Sequence, residues 1–351
     1  LCVTQSILCA QQPTRIPPPN RLSDREFFRD TSLPTALLCM GPSQTESDRL
    51  VIRKLAPHRD PNWVCAVWQL ATTLCGFAVA WAGMWWCLSY SYWLTLCLAP
   101  LTAAFLVRLF ILQHDCGHRS FFRSRWANDV CGSFLSVLTL TPYHCWRREH
   151  AVHHATSGDL DRRGLGGEIF VMTLGEYQQA GRWKRFGYRL YRNPLILLLM
   201  GPWFHFLVRQ RLTWGLPPAW KKERANVHIT NLAILGLVLL MAWLVGWQAL
   251  LLIHFPVVVI GASLGVWLFY MQHQYADAYW RPHGQWDYVA AALDGSSYYR
   301  LPKVLQWFSA NIGLHHVHHL GDILIGIRHF FGQGGTAGPA DENAFVFEFP
   351  A

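Results

Sequence analysis

Polar and apolar residues segregate into long blocks along this chain rather than alternating. Apolar runs occupy residues 63–90, 93–113, 229–252 and 254–271. At a helical rise of about 1.5 Å per residue, runs of this length match about 30 Å of hydrocarbon, so four membrane-crossing helices are predicted. The first two are joined by the short, aromatic, uncharged stretch Leu88-Ser-Tyr-Ser-Tyr-Trp93, and little more than His254-Phe255-Pro256 separates the last two. Both connections predict tight helical hairpins. A fifth apolar stretch, 194–208, is shorter and carries Gly201-Pro202 in its middle, which predicts an interfacial or re-entrant segment. Arg108, near the end of the second run, is expected to snorkel to the nearby surface.

The polar blocks differ from one another. Residues 1–50 carry the Pro17-Pro18-Pro19 run and no sustained periodicity, the pattern of a poorly ordered leader. The chain begins with Leu1 rather than Met, so the start of the reading frame is suspect, and the leader lacks the ordered regions of a secretory signal. Between residues 114 and 193 the chain is rich in arginine and histidine, with Arg119, Arg123, Arg125, Arg147, Arg148, Arg162, Arg163, Arg182, Lys184 and Arg185. Neither predicted far-side connection, near 88–92 or 251–255, carries a cation. Four crossings leave the leader, the middle block and the tail on one side, and the positive-inside rule places that side in the cytoplasm.

Composition narrows the class further. Of 351 residues, 52% are hydrophobic, and the formal net charge is +9. The arginines flank apolar spans instead of forming a stripe on a soluble domain, which argues against a nucleic-acid partner. All ten cysteines lie between Cys2 and Cys145 with no Cys-x-x-Cys pair. Several fall within or beside apolar runs, so neither a disulfide framework nor a zinc ribbon is expected.

The chemistry lies in three histidine clusters within the polar blocks: His114-Asp-Cys-Gly-His118, His150-Ala-Val-His-His154 and His315-His-Val-His-His319. On a helix, positions i, i+3 and i+4 share a face. His114 and His118 form one such group, His150, His153 and His154 a second, and His315, His318 and His319 a third. His316 is out of phase. A lone histidine is ordinarily a surface or hydrogen-bonded residue, but three clusters of matching phase at one predicted membrane face point to metal. Neutral imidazole is the commonest ligand for first-row metals, and eight imidazoles exceed what one ion accepts, so two ions are the natural count.

These boxes, HDCGH, HAVHH and HHVHH, resemble the HxxxH, HxxHH and HxxHH boxes of the membrane fatty-acid desaturase family. The flanking text, including Trp146-Arg-Arg-Glu-His150 and Trp267-Leu-Phe-Tyr-Met-Gln-His273, is similar to bacterial and plant acyl desaturases of the omega-6 type. The likeness runs over roughly residues 50–320, with the desaturase domain drawn at 51–320. It implies an all-α integral membrane fold in which two helical hairpins carry a cytosolic helical cap bearing the boxes. It also implies a ninth ligand, His273, just after the last span. Asn311, one helical turn before His315, is expected to hold a ligand or bound water, and Asp115, Glu149 and Asp159 are candidates to orient imidazole N–H groups. His58, His144, His205, His228, His254, His283 and His329 stay unassigned.

By the same resemblance the cofactor is a pair of iron ions, the co-substrate is O2, and the reaction leaves a double bond in a fatty-acyl chain carried on lipid, CoA or carrier protein. No Glu-x-x-His motif of a soluble di-iron bundle is apparent. No fused cytochrome b5 signature is present either, so electrons are expected from a separate ferredoxin or cytochrome b5, steered by the cationic face. A related hydroxylase or ketolase is the alternative outcome of the same boxes. A histidine-rich transporter is the remote one, disfavoured because the boxes lie outside the spans and the span cores hold no Asp or Glu. Beyond Leu320, residues 321–351 depart from the family pattern in a glycine-rich tail, which predicts a frameshift or truncation soon after the third box.

Overall fold

A computed structural model describes residues 61–164 and 166–321; the leader and the 322–351 part of the tail, with the expectations for them, lie outside the described residues. Among the described residues, four helices are long and apolar enough to cross a membrane: α1 (Trp63–Leu88), α2 (Tyr92–Gly117), α8 (Lys221–Val245) and α9 (Trp247–His273). Between the two pairs lie α3 (Arg125–Leu138), α4 (Tyr143–Thr156), α5 (Leu174–Gln179), α6 (Arg182–Tyr191) and α7 (Gly201–Leu207). After α9 come α10 (Tyr288–Asp294), α11 (Lys303–Phe308) and α12 (His315–Gly321). The predicted all-α membrane class is the class observed.

Asn62 starts α1 by accepting hydrogen bonds from the Val64 and Cys65 amides. The helix turns back through residues 89–91 into α2, the central helix, which packs against α1, α3 and α9. Half of the most apolar window of α2 is buried, against 11% for α1 and α8, whose outward faces are left for lipid. The second hairpin turns earlier than the sequence suggested. Gly246, at φ 85°, makes the turn, while Pro256 lies inside α9. A left-handed backbone suits glycine, whereas an intramembrane proline is tolerated when neighbouring groups satisfy the freed carbonyl. The segment predicted to be interfacial forms a π-turn over Ile196–Met200 that runs into α7.

Arg108 does not snorkel. Only 3% exposed, it donates to Thr73 Oγ1 at 3.0 Å and to the Trp307 carbonyl, with its guanidinium 3.9 Å above the Trp307 ring. With Gln69 Oε1 at 3.4 Å as the third acceptor, these groups and an aromatic face replace water, and the cation pins α11 to the first hairpin. The seven described cysteines, Cys65 through Cys145, are all free thiols.

Chain direction sets up the site. Both α2 and α9 run toward the same end of the bundle, so His114, His118 and His273 leave the spans at one face. Helices α3, α4, α10 and α12 cap that face. Close glycine contacts set their spacing: a Cβ on Gly132 would lie 2.2 Å from the Tyr143 ring, and one on Gly117 would lie 2.8 Å from the Trp146 ring. The Tyr143 hydroxyl donates to the Cys116 carbonyl at 2.8 Å, tying α4 to the last turn of α2.

Candidate metal centre

All nine histidines singled out in the sequence converge. His114, His118, His150, His154 and His318 bring ring nitrogens within 4.8 Å of one another, and His153, His273, His315 and His319 form a second group by the same measure. The second box therefore serves both groups: His150 and His154 face one, and His153, the residue before His154 and about 100° round α4 from it, faces the other. The third box divides likewise, His318 against His315 and His319. His316 points elsewhere and sets its ring against Tyr298.

The nitrogen spacing fits metal. The contacts His150–His114, His154–His150, His315–His273 and His319–His315, all Nε2 to Nε2, measure 3.0, 3.1, 2.9 and 3.1 Å. Imidazole bonds of about 2.1 Å at right angles around one ion put neighbouring nitrogens about 3.0 Å apart. Proton positions sharpen the point. His273 Nδ1 lies 3.1 Å from the Gly295 carbonyl, which only accepts, so Nδ1 carries the proton and Nε2 presents a bare lone pair. His153 Nδ1 lies 3.3 Å from the Glu168 carboxylate, with the same consequence. These two Nε2 atoms then face each other at 3.2 Å with no proton between them. Two opposed lone pairs repel unless a cation accepts both. His318 adds a second sign: both of its ring nitrogens are buried without a hydrogen-bond partner, an arrangement that costs about 1–3 kcal/mol per polar group when nothing binds there.

Three acceptors hold the outer nitrogens: Asp115 Oδ1, 3.2 Å from His114 Nδ1, with Glu168 and the Gly295 carbonyl. Asp115 thus lies against a cluster histidine. Asp159 does not, because its carboxylate is committed to His283 Nδ1 at 2.7 Å and to the start of a 3-10 turn. Glu149 lines the cavity beside the centre, where burial pushes its carboxyl above the usual range against the opposing pull of Arg209. Asn311 is not one helical turn below His315. It occupies a left-handed turn at φ 64°, and its carbonyl accepts from the Leu314 amide at the entrance to α12. Glu168 was missed by the sequence reading, since it sits in an irregular stretch 15 residues from its partner, with no periodicity to reveal it. The neighbouring Gly166 admits that stretch: a Cβ there would lie 2.4 Å from the His153 backbone.

Burial first, and the surrounding imidazoles second, push His150, His154, His315, His318 and His319 well below the usual imidazole range. These five rings are neutral at pH 7, as ligation requires. With folded values depressed, the unfolded chain binds more protons below about pH 6.5, so stability rises with pH through that window and falls as the pH drops below it. Thermal melting of metal-free protein in detergent, from about pH 7.5 down to 5, is expected to show a progressively lower Tm. A flat profile would contradict the burial of these five neutral rings.

One wall of the centre opens into a cavity of about 520 Å3, lined by His114, His150, His153 and His315, by polar groups such as Glu149, Arg209 and Gln272, and otherwise mostly by apolar side chains of α2, α9 and the π-turn. That volume is within the range of about 300–1,000 Å3 typical of small-molecule sites.

A four-span α-helical membrane protein with two histidine nests at one end of its bundle, opening on an apolar cavity, is the class that fold and site define. The chain belongs to the fatty acid desaturase family: the family model matches residues 91–321. It is 44% identical over 268 residues to a fatty acid desaturase of Bacillus subtilis, covering 76% of this chain and 75% of the relative. It is also similar to an sn-1 oleoyl-lipid 12-desaturase of Anabaena variabilis, at 26% identity over 67% of each chain. A ferredoxin-type sn-1 acyl-lipid omega-3 desaturase of Nostoc matches at 28% identity over 63% of this chain and 60% of its own. The chain is accordingly an oxidoreductase of the desaturase family, and neither the hydroxylase and ketolase reading nor the transporter reading is favoured.

Proposed function

We propose that this protein introduces a double bond into an acyl chain of a membrane lipid, with two iron ions held by the nine clustered histidines and O2 as co-substrate. The observation that carries the reading is an apolar cavity ending on two histidine nests. The five-histidine group would hold one iron and the four-histidine group the other, and the bound pair supplies oxidising power that no side chain possesses. The balance is one O2, two electrons and two protons for each pair of hydrogens removed, giving the alkene and two waters.

The chain's own residues contribute orientation and exclusion of water. Asp115, Glu168 and the Gly295 carbonyl hold outer N–H groups, so that His114, His153 and His273 turn Nε2 inward. The cavity walls keep a methylene pair beside His150, His153 and His315 and shed the water that would compete for oxidant. Gln272, lining the cavity, donates to the Ile312 carbonyl at 3.0 Å and braces α9 against the turn that leads to α12.

Electrons come from a separate carrier; the ferredoxin-type designation of the Nostoc relative supports an acidic iron–sulfur donor. Ion pairs already engage Arg147, Arg148, Arg162 and Arg163, so a donor meets fewer free cations than the sequence count implies. The histidine nests and both termini face the cytoplasm in this reading, supported by the dense cations of the middle block and their absence from residues 89–91 and 246.

The test is expression in a host whose lipids lack polyunsaturated chains, followed by mass spectrometry and double-bond mapping. The expected product is lighter than its precursor by two hydrogens. A product heavier by one oxygen would make the protein a hydroxylase instead.

A further inference from the structure

Helix α6 carries a sorted surface that the proposed reaction does not use. Its inner side is anchored: the Tyr188 hydroxyl accepts from the Met172 amide at 3.2 Å and the Tyr191 hydroxyl from the Phe170 amide at 3.1 Å. At 100° per residue, Trp183, Phe186 and Leu190 fall on the opposite side, and they are 73%, 53% and 47% exposed. Arg182, Arg185 and Arg189 line one flank of that stripe, and Lys184, also exposed, falls in the sector of the two tyrosines. Among the described residues, none of these four cations has an acidic partner within ion-pair distance, unlike Arg147, Arg148, Arg162 and Arg163.

The position of α6 supplies the second argument. Immediately after it, Arg192 bonds Gln274 at 2.8 Å and the Tyr270 hydroxyl at 3.3 Å, at the end of α9 where that helix leaves the membrane. Tyr191, 37% exposed, is also part of the cavity wall together with Ile196 and Leu197. Cavity wall and outer surface therefore meet at the C-terminal end of α6. An exposed Trp, Phe and Leu stripe flanked by cations is the pattern of a helix lying in the headgroup region, its apolar side down and its charges among phosphates. An acidic protein donor would be served by the charges but not by three exposed apolar side chains.

We propose that α6 is a headgroup site for anionic phospholipid beside the acyl cavity, and that the enzyme takes its acyl chains preferentially from this lipid class. The preference rests on the desaturase reading; the binding site does not. A cation near a lipid surface is worth about 1 kcal/mol, so one extra headgroup charge corresponds to roughly fivefold enrichment.

The experiment uses full-length protein purified in mild detergent and mixed with equimolar phosphatidylglycerol and phosphatidylcholine, with bound lipid read by mass spectrometry. Wild type is expected to retain phosphatidylglycerol in roughly fivefold excess. The R182Q/K184Q/R185Q/R189Q variant should retain the two equally, and R182K/R185K/R189K, which preserves charge, should keep the excess. Equal retention by wild type, or an excess that survives the glutamine variant, overturns the site. An unchanged lipid ratio with slowed reduction by an acidic donor would overturn it too and give the patch to the donor. In reconstituted enzyme, new double bonds should concentrate in phosphatidylglycerol; equal desaturation of both lipids overturns the preference. A binding excess without double bonds in either lipid removes the desaturase reading and leaves the headgroup site standing.

Discussion

His153→Ala and His318→Ala are each expected to reduce desaturated product below detection while leaving membrane insertion intact. The two residues test different halves of the centre. His153 belongs to the four-histidine group and is the only member drawn from the second box. Its loss removes one imidazole and leaves the Glu168 carboxylate buried without its ring partner. His318 belongs to the five-histidine group, with both ring nitrogens buried and otherwise unpartnered. Outer partners of a metal site already matter by about 10–100-fold, and a direct ligand should exceed that. Iron analysis separates a metal effect from a folding effect: each variant should bind fewer than two irons per chain yet elute as a single species in detergent. The control is His316→Ala, out of phase on the same helix, which should keep most of its iron and product. Full activity in His153→Ala or His318→Ala would falsify the assignment of that histidine.

Gly265→Phe is expected to exclude long acyl chains without unfolding the protein. Gly265 lies on α9 and lines the cavity, and a Cβ built there meets no atom within 4 Å. An added ring would project into space that the acyl chain would occupy. Gly261, one turn earlier, is different: its Cβ would lie 3.2 Å from Leu106 on α2, so a larger side chain there would press on helix packing instead. A methylene gained or lost in an apolar site changes discrimination by about 10–200-fold, and a phenyl group should cost long-chain product at the upper part of that range. Gas chromatography of total fatty acids from cells expressing the variant should show long-chain product falling much further than short-chain product, with an unchanged melting temperature in detergent. An unaltered chain-length profile would remove this cavity as the acyl site.

Much of the architecture was legible because membrane and metal both impose simple periodicities. Hydrocarbon thickness sets the length of a span, so the α1 and α2 runs were located to within a few residues from apolarity alone. Helical phase sorted His153 from His316 without coordinates, because residues three and four apart must share a face. The turn of the second hairpin was misplaced, because His254-Phe255-Pro256 looks like an interruption in one dimension. In three dimensions the bundle absorbs that proline, and Gly246 supplies the left-handed turn.

What the chain alone determined, then, was the number of crossings and the eight in-phase imidazoles of the three boxes, with His273 added by the family resemblance. Only the tertiary structure decided how those nine divide five to four, since α4 and α12 each split their histidines between two centres. It also decided that Glu168 rather than Asp159 supports a cluster histidine, that Arg108 is held inside, and that an apolar cavity ends on the nests. The physical reason is locality. Hydrophobic length and helical phase are properties of neighbouring residues, whereas hydrogen-bond partners and cavities arise between segments tens to hundreds of residues apart, and no periodicity links those.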